Sequence, residues 1–104
     1  MTITRTNLAE AIAEEIKDTY PHISQKEVEA IIKSFLSRIV QDLLAGHRIE
    51  LRGFGVFFTR MRRAKTARNP KTEERFHLPP RRVVAFKPSR LLKKELREET
   101  KEGG

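Results

Sequence analysis

An α+β fold, helices first and strands after, is what this sequence predicts, on three observations. Apolar residues recur at three- and four-residue steps as far as Gly46, and after it the period changes to two. The charge divides at the same place. Residues 1–46 hold five basic side chains against seven acidic, a net −2, whereas the other 58 hold 17 against seven, a net +10. One half reads as a scaffold and the other as a surface for a polyanion. With 104 residues the chain makes one domain, and a core of any size calls for a partner subunit.

The elements follow in order. Thr4 is placed to cap a first helix with the stripe Leu8, Ile12, Ile16, ending before Pro21. Ser24 and Glu27 form a capping box that opens the strongest helical signal, Val28, Ile31, Ile32, Phe35, Leu36, Ile39, Val40 and Leu43, which Gly46 stops. That stripe is too wide for the first helix alone to cover. Ile49 and Leu51 alternate with Glu50 and Arg52 in a short strand, on which Glu50 and Arg52 share a face. Gly53-Phe54-Gly55 is a tight bend, and Val56 to Arg63 a second strand that grows cationic toward its end.

Residues 64–80 carry only Phe76 and Leu78 as large apolar side chains, yet strand signals bracket them, because Arg82-Val83-Val84-Ala85-Phe86 reads as a returning strand. A plain loop of this length is unusual in so small a domain, so an extended two-stranded arm is the better account. Pro88 ends the strand. Ser89 caps a last helix with Leu91, Leu92 and Leu96 on one side and Lys93, Lys94 and Arg97 exposed.

Between Arg52 and Arg90 there are twelve basic residues and two acidic ones, Glu73 and Glu74. Cations spaced along such an arm release counterions from nucleic acid, so its binding is expected to weaken steeply with salt. Asn69-Pro70, flanked by Arg68 and Lys71, combines a turn with a rigid apolar wedge that lacks a donor, the kind of group that minor-groove proteins insert between base pairs.

The absence of cysteine excludes a zinc ribbon, a thiol nucleophile and a disulfide framework, and fits a reducing compartment. His22, His47 and His77 have no metal-binding spacing, so no metal or other cofactor is expected. Neither a Ser-His-Asp order nor a phosphate-cradling loop nor a catalytic carboxylate pair can be assembled, which points away from an enzyme and from a small-molecule substrate. Without a long apolar run or a signal-peptide pattern, an unexported, soluble chain is expected.

Three segments carry a family resemblance: Ile49-Glu50-Leu51-Arg52-Gly53-Phe54-Gly55-Val56-Phe57, Ala67-Arg68-Asn69-Pro70-Lys71-Thr72 and Arg82-Val83-Val84-Ala85-Phe86-Lys87-Pro88. In this order and spacing the chain resembles the bacterial histone-like HU and integration host factor family from Thr4 to about Arg97. That family is itself an example in the general account of minor-groove benders.

The resemblance implies an intertwined dimer, homo- or heterodimeric, in which 1–46 form a helical dimerisation base. Residues 47–88 would form a β-saddle with a DNA-binding arm at about 60–82, 89–99 a C-terminal helix and 100–104 a frayed tail. It implies double-stranded DNA as partner, no membrane, and a place in the bacterial cytoplasm on the nucleoid. Pro70 would intercalate with Arg68 and Asn69 in the groove beside it. Arg60, Arg62, Arg63, Lys65, Lys71, Arg75, Arg81 and Arg82 would bind backbone or groove, and Lys87, Arg90, Lys93 and Lys94 flanking phosphates. Phe35, Phe54, Phe57 and Phe86 would pack the dimer core.

The Glu50-x-Arg52 pair beside glycine is similar to integration host factor β-type chains, with Arg52 reading a groove edge. Two positions depart from the family pattern: Glu73 stands where glycine, which enters positive φ freely, is usual, and Phe58 where a polar residue is.

Two other classes are open to a basic chain. An RNA-binding or ribosome-associated protein would offer aromatic stacking platforms, for which only Phe76 and Phe58 are to spare. A dimerisation scaffold that binds anionic membranes would need basic amphipathic helices, and these are acidic.

Overall fold

The structure is a computed structural model that describes the backbone of residues 1–103 and the side chains of residues 1–98. The elements run α1 (Arg5–Ile16), α2 (Gln25–Leu44), β1 (Ile49–Leu51), β2 (Gly55–Arg62), β3 (Lys65–Arg68), β4 (Arg75–Leu78), β5 (Arg81–Pro88) and α3 (Arg90–Gly103). Two compact units divide the chain, Met1–Gln41 and Asp42–Gly104.

In the first unit both helix starts are fixed by side chains. Thr4 Oγ1 accepts the Asn7 amide at 3.2 Å while Asn7 Oδ1 accepts the Thr4 amide at 3.0 Å. Ser24 and Glu27 repeat the reciprocal arrangement, at 3.1 Å in each direction. Ala9 and Val28 are buried, but Ile31, Phe35, Leu36 and Val40 stay 40–60% exposed along α2. The apolar stripe therefore lies largely uncovered, as its width on a helix about 30 Å long implies.

The second unit begins with the end of α2. The Gly46 amide donates to the Leu43 carbonyl and the His47 amide to the Asp42 carbonyl, at 3.0 and 2.9 Å, with Gly46 at φ 87°. This is a Schellman stop, which a residue with a Cβ enters only at a cost. After it β1, β2 and β5 form an antiparallel sheet in the order β1-β2-β5, and β3 and β4 form a separate antiparallel hairpin between β2 and β5. Arg63-Ala64 on one side and Pro79-Pro80 on the other lie outside both ladders, and the two prolines have no N–H to continue them. The expected arm is thus a hairpin with hydrogen bonds of its own.

Helix α3 runs to Gly103, beyond the boundary expected at 99. Of the tail expected over 100–104, Gly104 lies outside the described residues.

Candidate nucleic-acid interface

Strand register sorts the candidate residues onto two faces, because successive side chains on a strand point to opposite sides. Phe57 pairs with Phe86 directly across β2 and β5, and their ring centroids lie 4.8 Å apart. Phe54 joins them, 5.3 Å from Phe86 and 6.4 Å from Phe57. Ile49, Leu51, Thr59, Met61, Val84 and Arg82 share this face by parity. The opposite face carries Glu50, Val56, Phe58, Arg60 and Arg62 with Arg81, Val83, Ala85 and Lys87. One side of the sheet is aromatic and aliphatic, and the other is cationic.

This parity sets Arg81 and Arg82 on opposite faces. Arg81 lies on the cationic face, opposite Arg62 in register. Arg82 turns the other way, donating from Nη2 to the Leu43 carbonyl at 2.8 Å, from Nη1 to the Leu44 carbonyl at 3.1 Å and from Nε to Thr59 Oγ1 at 3.1 Å. A cation on the last carbonyls of a helix suits the negative end of its dipole, so Arg82 fastens the end of α2 to the sheet.

Glu50 and Arg52 do not share a strand face either. Arg52 lies in the turn after β1, where the Phe54 amide donates to the Leu51 carbonyl at 2.9 Å and Gly53 takes φ 80°. Positive φ at the third turn position alone is the type II form, which favours glycine there. Gly55 serves closeness instead: a Cβ on it would fall 2.6 Å from the Lys87 carbonyl oxygen and 2.7 Å from the Phe86 ring.

Ser89 ties this turn to α3. Its amide donates to the Phe54 carbonyl at 2.9 Å, its hydroxyl donates to the Gly53 carbonyl at 2.9 Å, and the same oxygen accepts the Leu92 amide at 3.1 Å. The cap and the turn together gather Arg48, Arg52, Lys87, Arg90 and Lys93 around one groove, where Glu50 is the one carboxylate on the lining. Lys94 lines a neighbouring surface with Arg90, Lys93 and Arg97.

Arg48 was not visible as a functional residue in the sequence. Its guanidinium carbon lies 5.9 Å from the centroid of Phe58, within cation–π range, so Phe58 serves as a platform that holds a cation at the edge of the charged face. An arginine one register step beyond the Ile49–Phe57 pair, opposite an unexplained aromatic, was the available signal.

In the arm, Ala67 pairs with Phe76 and Lys65 with Leu78 on one face, and Thr66 with His77 and Arg68 with Arg75 on the other. Arg62 opposite Arg81 and Arg68 opposite Arg75 are like-charge cross-strand pairs, an unfavourable arrangement that a polyanion relieves. Asn69 closes the tip: its amide donates to the Glu74 carbonyl at 2.9 Å, its carbonyl accepts the Glu73 amide at 2.7 Å, and its Oδ1 accepts the Lys71 amide at 3.0 Å. Pro70 is exposed within this turn. Glu73 adopts φ 62°, so the left-handed residue that the turn requires is present without glycine. Arg63 is exposed between the two ladders, and Phe35 belongs to the first unit.

Among the described residues no group of histidine, cysteine and acidic side chains is placed to hold a metal, and no helix is long and apolar enough to cross a membrane.

Comparison with known proteins matches residues 3–97 to the family model described as bacterial DNA-binding protein. The integration host factor subunit beta of Methylococcus capsulatus is 43% identical over 91 residues, covering 88% of this chain and 92% of that protein. Its counterpart from Hahella chejuensis is 40% identical over 101 residues, 97% and 99% of the two chains. A cocrystal structure of Anabaena HU with DNA superposes with a TM-score of 0.79 at 31% identity, over 89% of this chain and 96% of that one. The fold is the α+β fold of HU, and this chain belongs to the bacterial DNA-binding protein family that includes HU and the integration host factor β subunits.

Proposed function

We propose that this protein is an architectural DNA binder that grips duplex DNA through the minor groove and bends it, with Pro70 as the wedge at the arm tip. The observation that carries this reading is the division of one sheet into an apolar face and a cationic face, with a hairpin between β2 and β5 that ends in exposed Asn69-Pro70. Phosphate contacts from Arg60, Arg62, Arg63, Lys65, Lys71, Arg75, Arg81 and Lys87 supply affinity without regard to sequence. Arg68 and Asn69 enter the groove, and the wedge exchanges lost base stacking for a kink.

The protein acts as a dimer, with an identical chain or a paralogue. In support, only Ala9, Val28 and Leu43 are buried among the described hydrophobic residues, while Phe35, Phe54 and Phe86 are 40–50% exposed. Exposed apolar surface of that extent marks an association face. A site preference of the integration host factor kind is favoured over uniform binding, because Arg52 and Glu50 stand together on the groove beside α3. Its place is the bacterial nucleoid, with no membrane partner, no small-molecule substrate and no catalysis. An RNA-binding role is less well supported, since Phe58 is engaged by Arg48 rather than free to stack on bases.

Pro70→Ala tests the wedge. Bending, read by fluorescence energy transfer across a short duplex, should fall sharply while affinity changes less than about threefold, because every phosphate contact stays. Equal bend angles for variant and parent would refute the role of Pro70. Failure of the parent to promote ligase closure of short fragments would refute bending altogether.

A further inference from the structure

The arm tip contains a carboxylate where the surrounding strands are cationic. Glu73 Oε1 accepts from Arg68 Nη2 at 3.1 Å, and it does so from a backbone at φ 62°. That conformation crowds any residue with a Cβ and is easiest for glycine. The turn holds it there through the Glu73 amide on the Asn69 carbonyl at 2.7 Å. The glutamate is therefore aimed, by a geometry that favours a different residue type, at a side chain of the proposed groove-reading group. The turn 69–74 contains Lys71, Glu73 and Glu74, a net −1, between strands that carry Lys65, Arg68 and Arg75.

We propose that Glu73 is a specificity-determining residue of the arm. It occupies the Arg68 guanidinium in the free protein and yields it only where the groove potential outcompetes a carboxylate. The inference rests on the arm binding DNA as proposed above. Both side chains are open to water, 59% and 76% exposed, so the pair is weak and a strong field displaces it. Narrow minor grooves of A-tracts have an enhanced negative potential and attract inserted arginine, whereas wider grooves of G·C-rich duplex attract it less. An arm that must first give up an internal carboxylate gains from Arg68 only what exceeds the pair, so it discriminates between the two less sharply than one whose Arg68 is already free. Where Arg68 stays paired with Glu73, one fewer cation is neutralised by phosphate, so the salt dependence is shallower as well.

Glu73→Gln removes the charge and keeps the side-chain length and the backbone demand, whereas Glu73→Gly removes both. Affinities of the full chain and both variants are measured by fluorescence anisotropy on an A-tract duplex and a G·C-rich duplex of equal length, from 50 to 200 mM salt. The expected result for both variants is tighter binding to each duplex, with the larger gain on the A-tract, so that the preference for the A-tract widens. The slope of log affinity against log salt on the G·C-rich duplex should steepen by about 0.9 per arm, roughly a threefold larger loss across the salt range. An unchanged slope and preference in Glu73→Gln would overturn the proposal. So would a change confined to Glu73→Gly, which would assign the effect to the turn backbone. If the parent itself fails to bind either duplex, the DNA-binding reading falls and this inference with it, whereas a parent that binds and bends beside an inert Glu73→Gln removes the inference alone.

Discussion

Arg82→Ala separates a structural arginine from a DNA-contacting one. Three donors are lost together. The bond to the Leu43 carbonyl, 2.8 Å long and partly buried, is charge-assisted and contributes about 1.5 kcal/mol. Those to the Leu44 carbonyl and Thr59 Oγ1, each 3.1 Å and exposed, contribute about 0.5 kcal/mol apiece. Leu43 also accepts the Gly46 amide, so its carbonyl keeps a partner in the variant, which holds the net loss near 2 kcal/mol rather than above it. For a domain of this size that lowers Tm by about 8 °C or more. Arg82→Lys, which keeps the charge but only one donor direction, should recover about half.

Arg81→Ala supplies the contrast. Removing one member of the Arg62–Arg81 like-charge pair should leave Tm unchanged or slightly raised, while the salt slope of DNA binding falls by about 0.9. The measurements are thermal melting by circular dichroism and a salt titration of DNA affinity for each variant. If Arg82→Ala melts with the parent while its DNA affinity and salt slope drop as in Arg81→Ala, the assignment of Arg82 to the end of α2 is wrong.

Two further substitutions probe the elements that position the cationic groove. Gly55→Ala places a methyl 2.6 Å from a backbone oxygen that cannot rotate away, and should cost about 2 kcal/mol in a urea titration; a parent-like midpoint would show that β2 and β5 separate freely there. Ser89→Ala removes the cap of α3 and its hold on the Gly53 carbonyl, with an expected loss of about 1 kcal/mol and a shallower salt slope; retention of the full slope would mean that Arg52, Arg90 and Lys93 do not act as a group.

What the sequence made legible was local. Thr4, Ser24 and Gly46 mark helix ends through bonds to residues at most five positions away, so their roles can be read from spacing alone. The arm was legible as a contradiction between strand signals and a polar stretch too long for a loop, and the hairpin resolves it. Arg82 was not, because its partners lie 23, 38 and 39 residues away and only the strand register brings them near. A stricter use of alternation from Phe86 would still have placed it on the apolar side. Arg52 was misplaced because Gly53 ends the strand one residue sooner than the charge alternation suggested. Phe58 had no account until the structure set Arg48 over its ring.

The gap in the ladders at Arg63-Ala64 and Pro79-Pro80 has a consequence for how such a protein diversifies. Because no hydrogen bond of the β1-β2-β5 sheet is shared with the hairpin, the segment between these breaks is a cassette: its length, tip sequence and charge can be exchanged without shifting the pairing of Phe57 with Phe86. The tool that touches the double helix and the frame that carries it are then free to be tuned apart, by mutation in a genome or by grafting in the laboratory.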